Sequence, residues 1–301
     1  MDLQRLLRGT VEWDRLEAVA RDLAARYGDG SARVEFLDAD NWLSTPFILR
    51  TDGEAYFVKV VSRQNSVVHA LFTAGRNLGA FSSGTEGFFE HFGTPAEMAR
   101  HELEATERMR AIGVNAPEPV EALEIDGLGV LVVEYLPAFR PLDELDVDAE
   151  RELAPELFRA LGRLHDNGLA HGDLRAENVL ILDGDLYFID ATSVREPGAL
   201  DAREYDLACG LAALEPLIGA ADAVEAALST YPPEDVLAAR EYLDFVAIRP
   251  DHDFDAPGLK GEIEKRAAER SEAERGEAST ANGECARSSH RRDRDGERRT
   301  E

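Results

Sequence analysis

Three polar side chains in the second half of the chain stand at spacings that leave few folds open. His171-Gly-Asp173 opens a polar loop, Asn178 follows five residues after that Asp, and the apolar runs 179–182 and 185–190 end at Asp190. Between those runs stands Asp183-Gly184, which has the chemistry of a two-residue hairpin turn. A loop and the hairpin behind it therefore bring Asp173, Asn178 and Asp190 to one place. Upstream, the first 259 residues hold one lysine, Lys59, inside the strand-like run Ala55-Tyr-Phe-Val-Lys-Val-Val61. Arginine supplies the other cations of that stretch, whereas a compact, strongly hydrated point charge is what lysine alone offers. Phosphoryl transfer needs such a cation on the phosphates, oxygen ligands for magnesium and a base near the acceptor. Taken singly each residue has a plainer explanation. A strand lysine snorkels to solvent, a loop Asp caps or turns, and His171 reads as a structural histidine bonding nearby backbone. The order and spacing carry the argument.

Periodicity organises the rest. Apolar residues recur at helical spacing through Trp13, Leu16, Val19, Leu23 and Tyr27 until Gly28-Asp-Gly30 stops the run, which predicts a helical extension over 1–30. Strands are expected near 32–38, 45–50 and 54–61. A helix follows from about Pro95 to Ala111, with Thr94 as its cap and proline in first position. Strands near 117–125 and 128–136 lead into Glu134-Tyr-Leu-Pro137. Between Lys59 and that helix lies a long Gly- and Phe-bearing insert, about 64–95, of a length that in compact domains is functional or disordered. The second half reads as helical at about 148–165, 201–217, 219–229 and 234–246. The expected layout is α+β and bilobal: a five-strand N-lobe with one helix over 31–136, a mostly helical C-lobe over 137–258, and a charged tail over 259–301. With almost no large apolar residues, that tail cannot offset its ordering entropy and is expected to be disordered past about 270.

The loop Leu169-Ala-His-Gly-Asp-Leu-Arg-Ala-Glu-Asn-Val179 resembles the catalytic loop of the protein-kinase-like superfamily. Tyr187-Phe-Ile-Asp-Ala-Thr-Ser-Val194 resembles its metal-binding segment, and Ala-Thr-Ser after the Asp is similar to the RIO family of atypical serine/threonine kinases. So is the short gap from Asp190 to Asp206, which implies a short activation segment. The resemblance implies a kinase-like fold binding ATP and Mg2+. In it Asp173 is the catalytic base, Lys59 holds the α/β-phosphates, and Asn178 and Asp190 hold the metal. Glu102, with Glu104 as rival, partners Lys59. Glu134 to Leu136 meet adenine through backbone, Arg175 touches the γ-phosphate, and Asp206 holds the catalytic loop. Where a kinase has a glycine-rich loop this chain has Leu37-Asp-Ala-Asp-Asn-Trp-Leu-Ser-Thr-Pro46, in which Ser44 and Thr45 are the candidates for phosphate contact. In the RIO family the metal-binding Asp, here Asp190, can itself accept phosphate. Two rivals stay open: a small-molecule kinase of the aminoglycoside-phosphotransferase type, and a nucleotide-binding scaffold without turnover. The phosphoacceptor, protein or small molecule, is not legible, and a ribosome-maturation link follows from the resemblance alone.

Charge bounds the setting. The chain carries a net −27, and the 42 residues from Lys260 hold 11 basic and 11 acidic residues, so the remaining 259 carry all of it, 22 basic against 49 acidic. A body clothed in carboxylate repels itself in dilute buffer, and at molar salt the screening length falls to ~3 Å. Scarce lysine with abundant Asp, Glu, Ala and Gly resembles a cytoplasmic protein of a salt-accumulating halophile. An acidic surface for a basic partner is the rival. Six arginines against three acids from Ala286 to Arg299 make a weak basic cluster whose attraction for nucleic acid salt would largely erase. Two cysteines, Cys209 and Cys285, make no disulfide framework, and Cys209 reads as a buried small hydrophobe. No apolar stretch approaches a membrane span, so no membrane partner is expected.

Overall fold

The computed structural model describes residues 11–28, 32–37, 44–62, 93–191, 199–249 and 252–270. Outside them lie most of the 64–95 insert, residues 38–43 of the Leu37–Pro46 stretch expected in place of a glycine-rich loop, residues 192–198, Cys285 and the tail beyond 270.

The first lobe is built on an antiparallel sheet of β1 (Arg33–Phe36), β2 (Thr45–Arg50), β3 (Ala55–Val61), β4 (Pro119–Ile125) and β5 (Leu128–Glu134), in spatial order β1-β2-β3-β5-β4. Alternation along each strand gives the sheet two apolar faces, and each takes a helix. Helix α1 (Trp13–Tyr27) packs Leu16, Val19 and Leu23 against Phe47, Leu49, Val58, Val60, Val130 and Val132. The segment expected as an N-terminal helical extension thus packs into the core of the first lobe.

Helix α2 (Pro95–Ala111) covers the other face, where Ala99 meets Leu131 and Val133. Its start is specified locally. The Thr94 hydroxyl accepts from Glu97 N at 3.2 Å, and the Glu97 carboxylate accepts from Gly93 N and Thr94 N at 2.9 and 3.1 Å. This reciprocal box satisfies N–H groups that the first turn cannot bond itself. Its seat is tertiary: a Cβ on Gly129 of β5 would lie 2.0 Å from Pro95 O. Only glycine lets the helix start come this close to the sheet.

In the second lobe, α3 (Val147–Asp166) starts at Asp146, whose side chain accepts from Ala149 N. Behind it stand the short strands β6 (Arg140–Pro141), β7 (Val179–Leu182) and β8 (Asp185–Phe188). The turn joining β7 to β8 has Asp183 and Gly184 both at positive φ, 54° and 89°, the geometry that the Asp-Gly pair predicts. Helix α4 (Ala199–Ile218) is buried along most of its length. At Gly210 it passes so near α3 and the 169–179 loop that a Cβ would sit 3.2 Å from Phe158 and 3.3 Å from Leu174. Helices α5 (Ala220–Leu228), α6 (Pro233–Ala239) and α7 (Leu243–Ala247) follow. A 3-10 turn over Arg240–Tyr242 divides what periodicity reads as one helix, 234–246.

The helical lobe does not end at 258. A last helix, α8, runs over 256–270, and Leu259, Ile263 and Ala267 on one of its faces are fully buried. Leu259 and Ile263 belong to the C-lobe core. Three apolar residues at i, i+4 and i+8 are a narrow stripe amid Arg and Glu, which composition alone reads as tail. Among the described residues no helix is long and apolar enough to cross a membrane.

Candidate active site

Lys59 faces Leu131 across the β3–β5 ladder and Pro46 across β2–β3. Alternation turns it with Phe57 toward α2, away from the α1-side core that holds Val58 and Val60. On α2 the inward stripe is Met98, Ala99, Ala105, Thr106 and Met109. Glu102 lies on it, whereas Glu104 is exposed. The Lys59 ammonium donates to both oxygens of Glu102, at 2.9 and 3.0 Å, and to Asp190 Oδ1 at 2.9 Å. One lysine therefore joins strand, helix and the end of the hairpin segment. The three side chains are only 7%, 15% and 19% exposed. Burial by itself would lower the lysine pKa, but the charges of Asp190 and Glu102 outweigh it and drive the value up. Burial also pushes Glu102 up, to about 7, with Lys59 opposing and Asp190 adding to the rise. At Asp190 burial pulls upward, but Lys59 prevails and holds the carboxyl below its ordinary value. Two carboxylates against one cation do not ionise with equal ease, and Asp190 keeps the charge. Asp190 itself sits at φ 59°, a left-handed conformation uncommon outside glycine.

The loop over 169–179 is held from behind. Asp206 on α4, fully buried, accepts from His171 N at 2.5 Å and from Gly172 N at 2.8 Å. Being acceptor-only, it takes a hydrogen from His165 Nε2 at 3.2 Å, and in the neutral imidazole the Tyr231 hydroxyl donates to Nδ1 at 2.7 Å. His171 is buried with its ring edge-on to Phe188 and its Nδ1 accepting from Asp173 N at 3.4 Å. Burial lowers its pKa, against the pull of Asp206, Asp173 and Asp190. Asn178 is also buried, and its Nδ2 donates to Asp173 O at 2.8 Å, while Ile189 N donates to Asn178 O at 3.1 Å. With its amide hydrogen so engaged, the Asn178 carboxamide has its oxygen for a metal. One carboxamide oxygen and the Asp190 carboxylate, completed by phosphate oxygens, are a donor set that fits magnesium.

Asp173 carries two guanidinium neighbours. Arg249 Nη2 donates to Oδ1 at 2.6 Å, and Arg175 Nη2 stands 3.7 Å from Oδ2 while its Nη1 bonds Glu177. Arg249 has no motif around it and lies 76 residues from Asp173. Sequence reasoning missed it, as it missed the His165–Tyr231 pair behind Asp206.

The remaining candidates divide. Ser44 is 6% exposed, and its hydroxyl has no hydrogen-bond partner among the described residues; alternation from Pro46 puts it on the Lys59 side. Thr45 pairs with Val60 and so shares the α1-side face. The register turns it away from Lys59. On the connector, Glu134 N donates to Glu118 O and Tyr135 N to Ala55 O, and Leu136 is buried. A cavity of about 360 Å³ opens between α3 and the β7–β8 turn, lined in part by Asn115, Glu156, Arg163 and Asp185, and touches none of these site residues. Cys209 is buried and its thiol is pushed up to about 12 by burial, an inert group.

Residues 85–212 match the family model of the RIO domain. The chain is 30% identical over 115 residues to the KEOPS complex subunit Bud32 of Pyrococcus abyssi, covering 37% of this chain and 51% of that protein. It is 34% identical over 107 residues to the RIO-type serine/threonine-protein kinase Rio1 of Haloferax volcanii, covering 33% and 36%. The chain thus spans about half the length of the first relative and about a third of the second. Among solved structures it is similar to an aminoglycoside-3'-phosphotransferase of type VIII, with TM-score 0.47 and 19% identity over 77% of this chain and 99% of the other.

Proposed function

We propose that this chain, whose residues 85–212 match the RIO-domain model, is an ATP- and magnesium-dependent phosphotransferase of the RIO-type serine/threonine kinase or ATPase kind. The observation that carries the reading is the buried triad in which Lys59 bonds both Glu102 and Asp190. On this reading the lysine would meet the α/β-phosphates, and the Asp190 carboxylate beside it would bind the metal. Catalysis of this type is mostly positioning and charge stabilisation, and a built constellation of this kind favours turnover over a scaffold role.

Lys59 would hold the phosphates, kept in place by Glu102. The Glu134 carbonyl and the Leu136 N–H would meet the base, because Glu134 N and Tyr135 N are already committed to the sheet. Ser44 would offer its hydroxyl to phosphate where a glycine-rich loop offers backbone. Asn178 and Asp190 would hold magnesium, which neutralises charge building on the phosphate oxygens. Asp173 would aim the acceptor hydroxyl and take its proton as that oxygen bonds to the γ-phosphorus and the bond to the β,γ-bridging oxygen breaks. Where Asp190 itself is the acceptor, its carboxylate oxygen attacks and the product is an aspartyl-phosphate, which water then hydrolyses. The Pyrococcus relative is named as a KEOPS complex subunit, which supports a multiprotein setting for this chain.

The test is turnover of γ-labelled ATP with magnesium in about 2–3 M KCl, salt at which the acidic body is screened, following phosphate release and label on protein. Asp173→Ala should lose at least ~100-fold in rate. Asp190→Asn should lose any acid-stable, hydroxylamine-sensitive label. A folded protein that binds ATP without turning it over would overturn the reading in favour of a nucleotide-binding scaffold, and turnover that survives Asp173→Ala would remove Asp173 from the reaction.

A further inference from the structure

Asp173 can orient an acceptor only if its own carboxylate is held in one rotamer, and within its own loop Arg175 stands 3.7 Å from Oδ2, beyond hydrogen-bond distance. The loop's backbone is fixed by Asp206 and Asn178, but those bonds stop at the main chain. The side chain is reached from elsewhere. Arg249 lies in the turn after α7, its N–H bonded to Val246 O at 3.0 Å. Its guanidinium, 13% exposed, donates through Nη2 to Asp173 Oδ1 and through Nη1 to the Tyr205 hydroxyl, each at 2.6 Å. Tyr205 is fully buried in α4, packed against Tyr242 and Phe245. It is also the neighbour in sequence of Asp206. Two consecutive residues of one helix therefore anchor the same loop by separate routes: Asp206 through backbone N–H groups, Tyr205 through Arg249 to the reacting carboxylate.

Building on the phosphotransfer reading above, we propose that Arg249 is a positioning residue for that reaction, fixing the rotamer of Asp173 through one carboxylate oxygen while Tyr205 fixes Arg249. Taking Oδ1 turns Oδ2 to the side of Arg175, the residue expected at the γ-phosphate. An acceptor hydroxyl meeting Oδ2 is then directed along the line from Asp173 to the phosphorus. The fork of a guanidinium suits this task because its donors diverge at fixed angles, so one group bridges a tyrosine and a carboxylate without freedom to swing. A positioning error of about 1 Å costs on the order of 100-fold in rate, so the contact belongs to kcat and not to nucleotide binding.

The experiment is steady-state turnover in about 2–3 M KCl of wild type, Arg249→Ala, Arg249→Lys and Tyr205→Phe, each with its melting temperature. For Arg249→Ala we expect kcat lower by about 10–100-fold with KM for ATP within about twofold, and partial recovery on adding millimolar guanidinium. Arg249→Lys should recover part of the rate, and Tyr205→Phe should lose less than Arg249→Ala. A residue that merely pins its turn to the lobe would lower the melting temperature without rescue by guanidinium or lysine. A second readout needs no turnover: in a double-mutant cycle of Arg249→Ala and Asp173→Asn, the melting-temperature losses should not add. An active wild type whose Arg249→Ala keeps or exceeds its kcat would overturn this inference alone, and the increase would mark Arg249 as an inhibitory latch. Additive melting losses would overturn the contact. A wild type without turnover would overturn the function and this inference together, and turnover independent of Asp173 this inference alone.

Discussion

At Glu102 the chemistry of one residue sets a pH dependence. Burial lifts its carboxyl, Lys59 resists and Asp190 adds to the lift, leaving it at about 7. The bidentate bond to Lys59 needs the carboxylate, so it is complete above about pH 7 and lost as pH falls through that value. ATP turnover is expected to decline on the acid side with a midpoint near 7. Glu102→Gln, which cannot titrate, should flatten that limb and run at a uniformly low rate. An unchanged acid limb in the variant would assign the titration to another group. The pairing with Glu102 was legible only as what the family resemblance implies, from its place eleven residues before Gly113, and burial on the inward side of α2 is what separates it from Glu104. The engagement of Asp173 by Arg249 was not legible, since two residues 76 apart meet only when the helices between them, α4 to α7, have packed.

At the scale of elements, α2 is the part on which the site turns, and its two ends of control differ in kind. Thr94, Pro95 and Glu97 start it by local chemistry, and that start stands in the sequence as a capping box. Where the helix sits is decided by β5, at Gly129. Gly129→Ala would set a methyl 2.0 Å from Pro95 O and 2.4 Å from Pro95 C, backbone atoms that yield only if the helix moves. Overpacking of this sort costs about 1–3 kcal/mol and at times more. Because Glu102 rides on the same helix, the variant should lose melting temperature and ATP turnover together. Both unchanged would mean that α2 is not seated on β5 as described. Other elements show the limits of local reading. Hairpin β7–β8 follows from Asp183-Gly184, but α8 over 256–270 buries Leu259, Ile263 and Ala267 in a stretch whose composition argues against order. Only the groove on the C-lobe makes so narrow a stripe sufficient.

For the whole molecule, the charge is the property that function must live with. A body with 49 acidic against 22 basic residues before Lys260 gains stability as salt screens its self-repulsion. Circular dichroism and melting temperature followed from ~0.1 to ~3 M KCl should show folding favoured at the high end. Native structure retained in dilute buffer would instead point to the acidic surface as a docking face for a basic partner. The same charge gives the cations at the site their meaning. Lys59, Arg175 and Arg249 are partly or wholly withdrawn from solvent, where salt screens an ion pair far less than at the surface.

The sequence by itself determined the parts: the strand that carries Lys59, the capped helix that carries Glu102, and the loop and hairpin that carry Asp173, Asn178 and Asp190. Period, cap and turn chemistry act over a few residues and can be read there. Tertiary structure alone decided how the parts are held. It laid α1 and α2 on opposite faces of one sheet, turned Thr45 away from Lys59 by strand register, closed the C-lobe with α8, and brought Arg249 to Asp173. Those outcomes depend on which apolar surfaces bury one another across long separations, and no local pattern encodes the choice.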